Sequence, residues 1–462
     1  MESLNRRDFL KTASLAGAGL AFASTAANAG QRATTSEHPI KFKRYKKNGK
    51  LKIAFIGVGG RGRSHVKLVC QRDDVDITAI CDVDPEAISK TKELIKQHSR
   101  KEPAVYTGDD YAFMKMLERD DIDGVIIATP WLWHTPMAVA VMRAGKYPGV
   151  EVSAANTIDE CWDLVNTSEE TGVPCMILEN VCYARESLAV LKMVREGVFG
   201  EIVHATCGYQ HDLRGVKFNP GVEFGKNAKG EARWRTQHSL KQNGDIYPTH
   251  GVGPVATWFN INRGNRFVSL TSSATKSTGL HAYIVEQAGE DHPNAKIKWK
   301  LGDIITTTIS TANGETIVVS HDTNLPRPYS WGFTLHGNKG IWGGQFEGAR
   351  IYIENESPKH EWETGEAYDK WMKKYDHKLW KEEEAKAKNA GHGGIDYFTI
   401  KQFLDSVKNE TQPPIDVYDA AAWSAITPLS EASVASNGAP QFFPDFTRGR
   451  WINNKPIFGL NG

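Results

Sequence analysis

The sequence predicts an α/β protein: an N-terminal parallel-sheet domain, then an α+β C-terminal domain with an open, largely antiparallel sheet. Two observations predict it. From residue 51 the chain alternates short, almost continuously apolar strands with helical segments, the pattern of strands buried on both faces. Beyond residue 200 it turns to segments with period-two patterning, two of them joined by an Asn313-Gly314 hairpin signal. The 462 residues suffice for two large domains. Hydrophobic residues at 40% and charged residues at 24% exclude wholesale disorder. Lys+Arg number 56 and Asp+Glu 55, so no cationic excess exists to hold nucleic acid or an anionic membrane. Thirteen Trp, 14 Tyr and 18 Phe suit a filled core and, in part, recognition of sugars or rings.

The first segment reads as an address. Asn5-Arg6-Arg7-Asp8-Phe9-Leu10-Lys11 precedes a run of small apolar residues from Thr12 to Ala23 and an Ala27-Asn28-Ala29 cleavage pattern. Adjacent arginines before Phe-Leu-Lys predict a twin-arginine signal over residues 1–29, and with it export, most simply to a periplasm. The apolar run is too short for a permanent membrane anchor. Residues 30–50 are polar and Lys-rich, a linker. Six cysteines, Cys70, Cys81, Cys161, Cys175, Cys182 and Cys207, sit largely in apolar runs without CxxC or Cys/His metal spacing. They are expected as buried free thiols, with no metal site.

Residues 51–180 carry a dinucleotide-binding pattern. Leu51-Lys-Ile-Ala-Phe-Ile leads into Gly57-Val58-Gly59-Gly60-Arg61-Gly62, and a helical pattern runs from Ser64 to Cys70. GxGxxG alone is a weak signal. Here a strand precedes it, a helix follows, and Asp82 closes the next strand, Val75 to Asp82. Glycines let backbone approach a pyrophosphate at the helix N-terminus, the arrangement of a Rossmann domain. Asp82 would accept from a ribose diol and repel a 2′-phosphate, which favours NAD; Arg61 is the one feature that argues for NADP. Helices are expected at 85–98, 109–118, 135–144 and 158–171, and strands at 124–129, 149–152 and 174–179. Ligands of such sheets lie at the carboxyl ends of the strands. That puts Trp131, His134, Glu151, Val152 and Asn180 beside the cofactor, with helix capping or structural burial as each residue's alternative.

Residues 181–440 form the second domain and 441–462 a C-terminal tail. Strands are expected at Glu201–His211, Phe267–Ala274, Asp303–Thr311, Glu315–His321 and Trp331–Gly337. Charged residues 359–389 carry Trp371, Tyr375 and Leu379 at helical spacing, one solvated amphipathic helix. Helices near 395–408 and 417–434 are expected to pack back on the first domain. The exposed face of an open sheet makes a homo-oligomer possible. Polar clusters stand out at Gly208-Tyr209-Gln210-His211-Asp212, Trp234-Arg235-Thr236, Tyr247-Pro248-Thr249-His250-Gly251 and Arg327-Pro328-Tyr329. Tyr and His can move protons near neutrality when a site perturbs them, and Arg235 offers fixed donors. His250, before glycines at a helix start, can point into a cleft. His392-Gly393-Gly394 is a weaker candidate.

Taken together, the Gly57–Gly62 loop, the Trp131–His134 loop and the open-sheet domain resemble the Gfo/Idh/MocA oxidoreductases. The motifs Glu151-Val152-Ser153, Glu179-Asn180-Val181-Cys182-Tyr183, Gly208–Asp212, Trp234–Thr236, Tyr247–Gly251, Asn262-Arg263-Gly264-Asn265-Arg266 and Arg327–Tyr329 narrow the resemblance to glycoside hydrolase family 109, over residues 50–460. Those enzymes are NAD-dependent α-N-acetylgalactosaminidases. Ordinary oxidoreductases of the superfamily carry Glu-Lys-Pro where this chain has Glu151-Val152-Ser153, and the missing lysine counts against a plain dehydrogenase. The resemblance implies NAD as cofactor and a glycan bearing terminal α-N-acetylgalactosamine as substrate. It implies hydride removal at carbon 3, elimination across carbons 2 and 1, water addition and re-reduction, with NAD recycled. It assigns sugar contact to Tyr209, Arg235, Tyr247, Pro248, Thr249, His250 and Tyr329, with His250 and Tyr247 as proton movers. The rivals are an exported NAD(P)-dependent sugar oxidoreductase with net redox turnover, and a non-catalytic sugar-binding protein that keeps NAD.

Overall fold

A computed structural model describes residues 49–460 except 345, 347 and 389; the twin-arginine segment and most of the linker lie outside the described residues. The first sheet has six parallel strands: β1 (Leu51–Ile56), β2 (Val75–Cys81), β3 (Ala104–Tyr106), β4 (Gly124–Ile127), β5 (Tyr147–Val150) and β6 (Met176–Ile177). Their order, β3-β2-β1-β4-β5-β6, reverses between β1 and β4, the switch point at which such sheets bind ligands. β1 and β4 are apolar because both faces are covered: Ile53, Phe55 and Val125 to Ile127 are wholly buried.

Eight strands make the second sheet: β7 (Ile202–Gln210), β8 (Phe267–Ala274), β9 (Ile304–Thr311), β10 (Thr316–Asp322), β11 (Thr334–Gly337), β12 (Gly340–Gly343), β13 (Arg350–Ile353) and β14 (Gln441–Phe442). The order is β13-β12-β11-β7-β10-β9-β8-β14. β7 and β10 pair in parallel and the other pairs are antiparallel. The sheet is thus largely antiparallel, as expected, and its register puts His321 beside Tyr209. β12, β13 and β14 carry too few residues for period-two reading. β14 lies in the segment expected as a tail.

Several expectations need correction. The charged segment is two helices, Gly365–Lys374 and Lys378–Ala387, not one. The chain breaks between them because Asp376 turns to Arg185, at 2.7 and 2.9 Å, and the His377 side chain accepts from the Leu379 N–H. Trp371 and Tyr375 stack at 6.0 Å at the end of the first of the two helices. The helix expected at 417–434 is likewise split, into Val417–Ser424 and Ile426–Ala435. Pro428 has no N–H to continue the ladder to Ser424 and fits the first turn of a new helix. The strand expected at 174–179 shrinks to β6, because the Glu179 carboxylate caps the turn by accepting from Val181 N–H at 2.9 Å.

The C-terminal helices do pack on the first domain. Phe403, on the helix Ile395–Asn409, is wholly buried against β4 and β5 at Gly124 and Gly149. Ala155 N–H reaches Ser424 Oγ at 3.4 Å. All six cysteines are free and buried, and burial pushes Cys81 up to about 12. Among the described residues no helix is long and apolar enough to cross a membrane. Because no side chain can refill the space over those two glycines, Phe403→Ala is expected to cost about 3–5 kcal/mol, read by urea unfolding.

Candidate active site

The glycine loop is shaped by two close contacts. Gly57 has φ +82°, and a Cβ there would meet Ala128 O at 2.6 Å. A Cβ on Gly62 would lie 1.9 Å from Gly57 O. These two residues let the helix Gly60–Cys70 start tight against β1. Gly59 and Gly60 have the opposite surroundings: nothing lies within 4 Å of their Cβ positions. Gly59 also brings no side-chain cap to the helix N-terminus. Open space above uncapped helix N–H groups is what a pyrophosphate needs. Asp82 stands at the end of β2, accepting from Val58 N–H at 2.7 Å and Asp84 N–H at 2.9 Å. Each oxygen keeps a lone pair for a ribose hydroxyl.

Arg61 does not face a 2′-phosphate. Its Nε donates to Glu151 at 2.6 Å, and its two amino groups to Asp396 at 2.7 and 3.1 Å. The argument for NADP is thereby withdrawn. Glu151 also meets His65 Nε2 at 2.6 Å. Burial works to raise the Glu151 carboxyl, but Arg61 and His65 outweigh it and hold it at about 2. Asp396 in turn takes Asn180 Nδ2 at 2.7 Å and His392 Nδ1 at 2.8 Å. Asn180 Oδ1 and Ser153 Oγ are buried without a partner among the described residues. Orphaned polar atoms at the carboxyl edge of the sheet, with the open glycine loop and Asp82, fit a bound dinucleotide. Val152 is buried in the turn that follows β5.

His134 lies in the loop that the sequence places beside the cofactor. Its ring nitrogens lie 2.7 Å from the carbonyls of Ser153 and Thr129, and burial lowers its pKa. Held between two backbone carbonyls, the ring ties the loop to the strand edge, the structural alternative that the sequence left open for this residue. Trp131 faces the other domain, its ring 5.2 Å from Tyr247 and 5.0 Å from Trp234.

The second domain closes the cleft with a contiguous cage. Tyr209, near the end of β7, lies 4.7 Å from the Tyr247 ring, 5.4 Å from His250 and 6.0 Å from Tyr329. Burial raises the Tyr209, Tyr247 and Tyr329 phenols, so all three are neutral donors near pH 7. The Arg235 guanidinium sits 4.7 Å over Trp131, 5.2 Å over Tyr247 and 5.4 Å over Trp234, with Nε on Glu231. Pro248 precedes the helix Thr249–Trp258, and Thr249 Oγ1 is buried without a partner among the described residues. His250 lies in its first turn, with Nε2 at 3.4 Å from Tyr247 OH. Gly251 allows contact with Gly208 of β7: a Cβ would be 2.6 Å from the Gly208 nitrogen. That closeness sets His250 beside Tyr209.

Sequence reasoning named Glu179 only as part of a motif, without a role, and missed Asp396 and His65. Glu179 is wholly buried, and both its oxygens meet His250 Nδ1, at 2.7 and 2.9 Å. A carboxylate closing an apolar strand was the available signal. The Asn262–Arg266 motif, by contrast, is structural: Arg263 binds Asp416 and Asp419 at 3.0 and 2.7 Å. Arg327 braces the Tyr329 loop through Gln210, at 2.6 Å, and Asp322.

Two outcomes follow from this geometry. A Glu151 carboxyl depressed from the usual 4.5 to about 2 contributes stability that is complete above pH 4.5 and is lost as pH falls through 2. The stability gap between wild type and Glu151→Gln is therefore expected to narrow as pH falls from 4.5 toward 2, out of a total of about 3 kcal/mol, in urea titrations. Asp82→Ala is expected to weaken dinucleotide retention by about 1.5–3 kcal/mol, measured as dinucleotide released on denaturing the purified protein.

Comparison with known proteins agrees with both halves. Residues 51–179 match the oxidoreductase family with an NAD-binding Rossmann fold, and residues 183–453 match the glycosyl hydrolase 109 C-terminal domain. An alpha-N-acetylgalactosaminidase of Tannerella forsythia is 53% identical over 98% of this chain and 99% of its own. One of Shewanella oneidensis is 41% identical over 99% of each. Among solved structures, levoglucosan dehydrogenase in complex with NADH and L-sorbose superposes with a TM-score of 0.64 at 19% identity, over 86% of this chain and 100% of its own, a likeness of fold. A cofactor groove and an aromatic–histidine cage thus stand on the two domains that these matches name, and the chain belongs to glycoside hydrolase family 109.

Proposed function

We propose that this protein is an α-N-acetylgalactosaminidase that releases terminal α-linked N-acetylgalactosamine from glycans with NAD bound as a recycled prosthetic group. The full-length likeness to two proteins of that name supports the substrate class. The observation that carries the reading is the cage around His250. An imidazole nitrogen stands beside the Tyr247 hydroxyl, among Tyr209, Tyr329 and the ring-stacked Arg235. Flat aromatic faces and fixed donors suit a pyranose with an acetamido group.

Bound NAD would supply a hydride acceptor and donor. Gly59, Gly60 and Asp82 would hold its phosphates and ribose, and Asn180 Oδ1 is free for an amide. His250 would accept a proton at Nε2. Tyr247, Tyr209 and Tyr329, kept as neutral phenols, would donate hydrogen bonds to sugar oxygens. Arg235 would orient the acetamido group or a carbonyl through amino groups that no described residue occupies. Val152, apolar and buried, stands where an ordinary dehydrogenase of the superfamily has its lysine, which counts against net redox turnover. Export by the twin-arginine route is part of this proposal, supported by Asn5–Lys11 and Ala27–Ala29. It fits a chain that folds and loads its cofactor before crossing.

The test is incubation of the purified protein with p-nitrophenyl α-N-acetylgalactosaminide without added NAD. Release of p-nitrophenol with no net NADH absorbance is expected. In heavy water the product sugar should carry deuterium at carbon 2. His250→Ala should lower the rate by roughly 10²–10⁴-fold while the cofactor stays bound. Hydrolysis that leaves carbon 2 undeuterated would overturn the elimination chemistry, and net NADH formation would favour an oxidoreductase.

A further inference from the structure

The buried Glu179 carboxylate has no guanidinium or ammonium partner among the described residues, yet it is wholly inaccessible to water. A buried carboxylate without compensation is expensive, so its hydrogen bonds decide its place. Oε1 accepts from the Val181 N–H, and both oxygens converge on His250 Nδ1 at 2.7 and 2.9 Å. At those distances a bare Nδ1 would set lone pair against lone pair. The proton must lie on Nδ1, which leaves the Nε2 lone pair for the cleft, where the Tyr247 hydroxyl stands at 3.4 Å.

The fold is built to allow this contact. Glu179 ends the strand segment after β6, and His250 comes 71 residues later in the first turn of the helix Thr249–Trp258. That helix lies on the Glu179 side chain through Gly253, where a Cβ would be 2.9 Å from Glu179 Cγ and 3.1 Å from Cys182 Sγ. Any larger residue would lift the helix and break the pair.

We propose that Glu179 is the positioning residue of the active site: it holds the His250 ring in the Nδ1–H tautomer and aims Nε2 at the substrate. Glu179 itself touches no reacting atom. Whatever proton His250 moves, it moves at Nε2. A carboxylate in this place fixes the ring's orientation, as an orienting acid does for a catalytic histidine elsewhere. The kinetic consequence rests on the glycosidase reading; the tautomer does not.

The experiment is long-range ¹H–¹⁵N correlation on the full chain, purified with its cofactor and labelled with ¹⁵N-histidine, with the His250 signals assigned by their loss in His250→Gln. In wild type a protonated Nδ1 and a bare Nε2 are expected. Glu179→Gln keeps the shape but offers an amide that either donates or accepts, so the single tautomer should give way to a mixture. In the same variant kcat should fall by about 100-fold or more with KM little changed, because binding groups are untouched. Glu179→Asp, which restores the charge, should recover the Nδ1–H tautomer. A wild-type His250 protonated on Nε2 alone would overturn the proposal, as would a Glu179→Gln protein that keeps both the tautomer and full kcat. Should Glu179→Gln fail to fold, the wild-type tautomer still decides. If the protein cleaves no α-N-acetylgalactosaminide, the glycosidase reading fails while the tautomer measurement stands on its own.

Discussion

Arg61 lies between Glu151 and Asp396, and the geometry of the glycine loop depends on that buried triad. The guanidinium leaves the cofactor loop, meets the residue that ends β5, and then grips the C-terminal helix Ile395–Asn409 with two hydrogen bonds. Three segments far apart in sequence therefore share one charge cluster. Burying such charges is costly, and removing any one partner leaves another uncompensated. The cluster is specified together or not at all. Asn180, bonded to Asp396, extends it to the end of the last parallel strand.

That constraint explains why the helix Ile395–Asn409 belongs to the cofactor domain although it follows the whole second sheet but its last strand. Phe403 fills the space over Gly124 and Gly149, and Asp396 sits in the first turn of the helix with Arg61, Asn180 and His392 around it. Apolar packing supplies the stabilisation and the ion cluster supplies the register. The cleft between the domains is organised from the other side by the helix Thr249–Trp258. Its glycines let it touch β7 at Gly208 and Glu179 beyond β6, so a single helix brings a carboxylate from one domain and phenols from the other to His250.

Much of this was legible in the residues. The strand, glycine loop, helix and Asp82 of the first domain follow one another within a few dozen positions, so local pattern sufficed. Tyr247 and His250 were legible for the same reason: three positions apart at a helix start, they share a face. His134 was left open between cofactor and burial because a polar residue at a strand edge can point toward a ligand or back into the loop, and its neighbours, two backbone carbonyls, come from the fold. The split helices at 375–377 and 425 were hidden because apolar spacing survives a short break, while the causes are a distant Arg185 and a lone Pro428.

The sequence by itself determined the class of fold, the dinucleotide loop and the Tyr-x-x-His cluster, because hydrophobic period, turn glycines and adjacent side chains are properties of short stretches. Only the tertiary structure decided the roles of Arg61, Glu179 and Asp396. Their partners lie 90, 71 and 335 residues away along the chain, and a charge acquires its function from whatever the fold places within three ångströms of it.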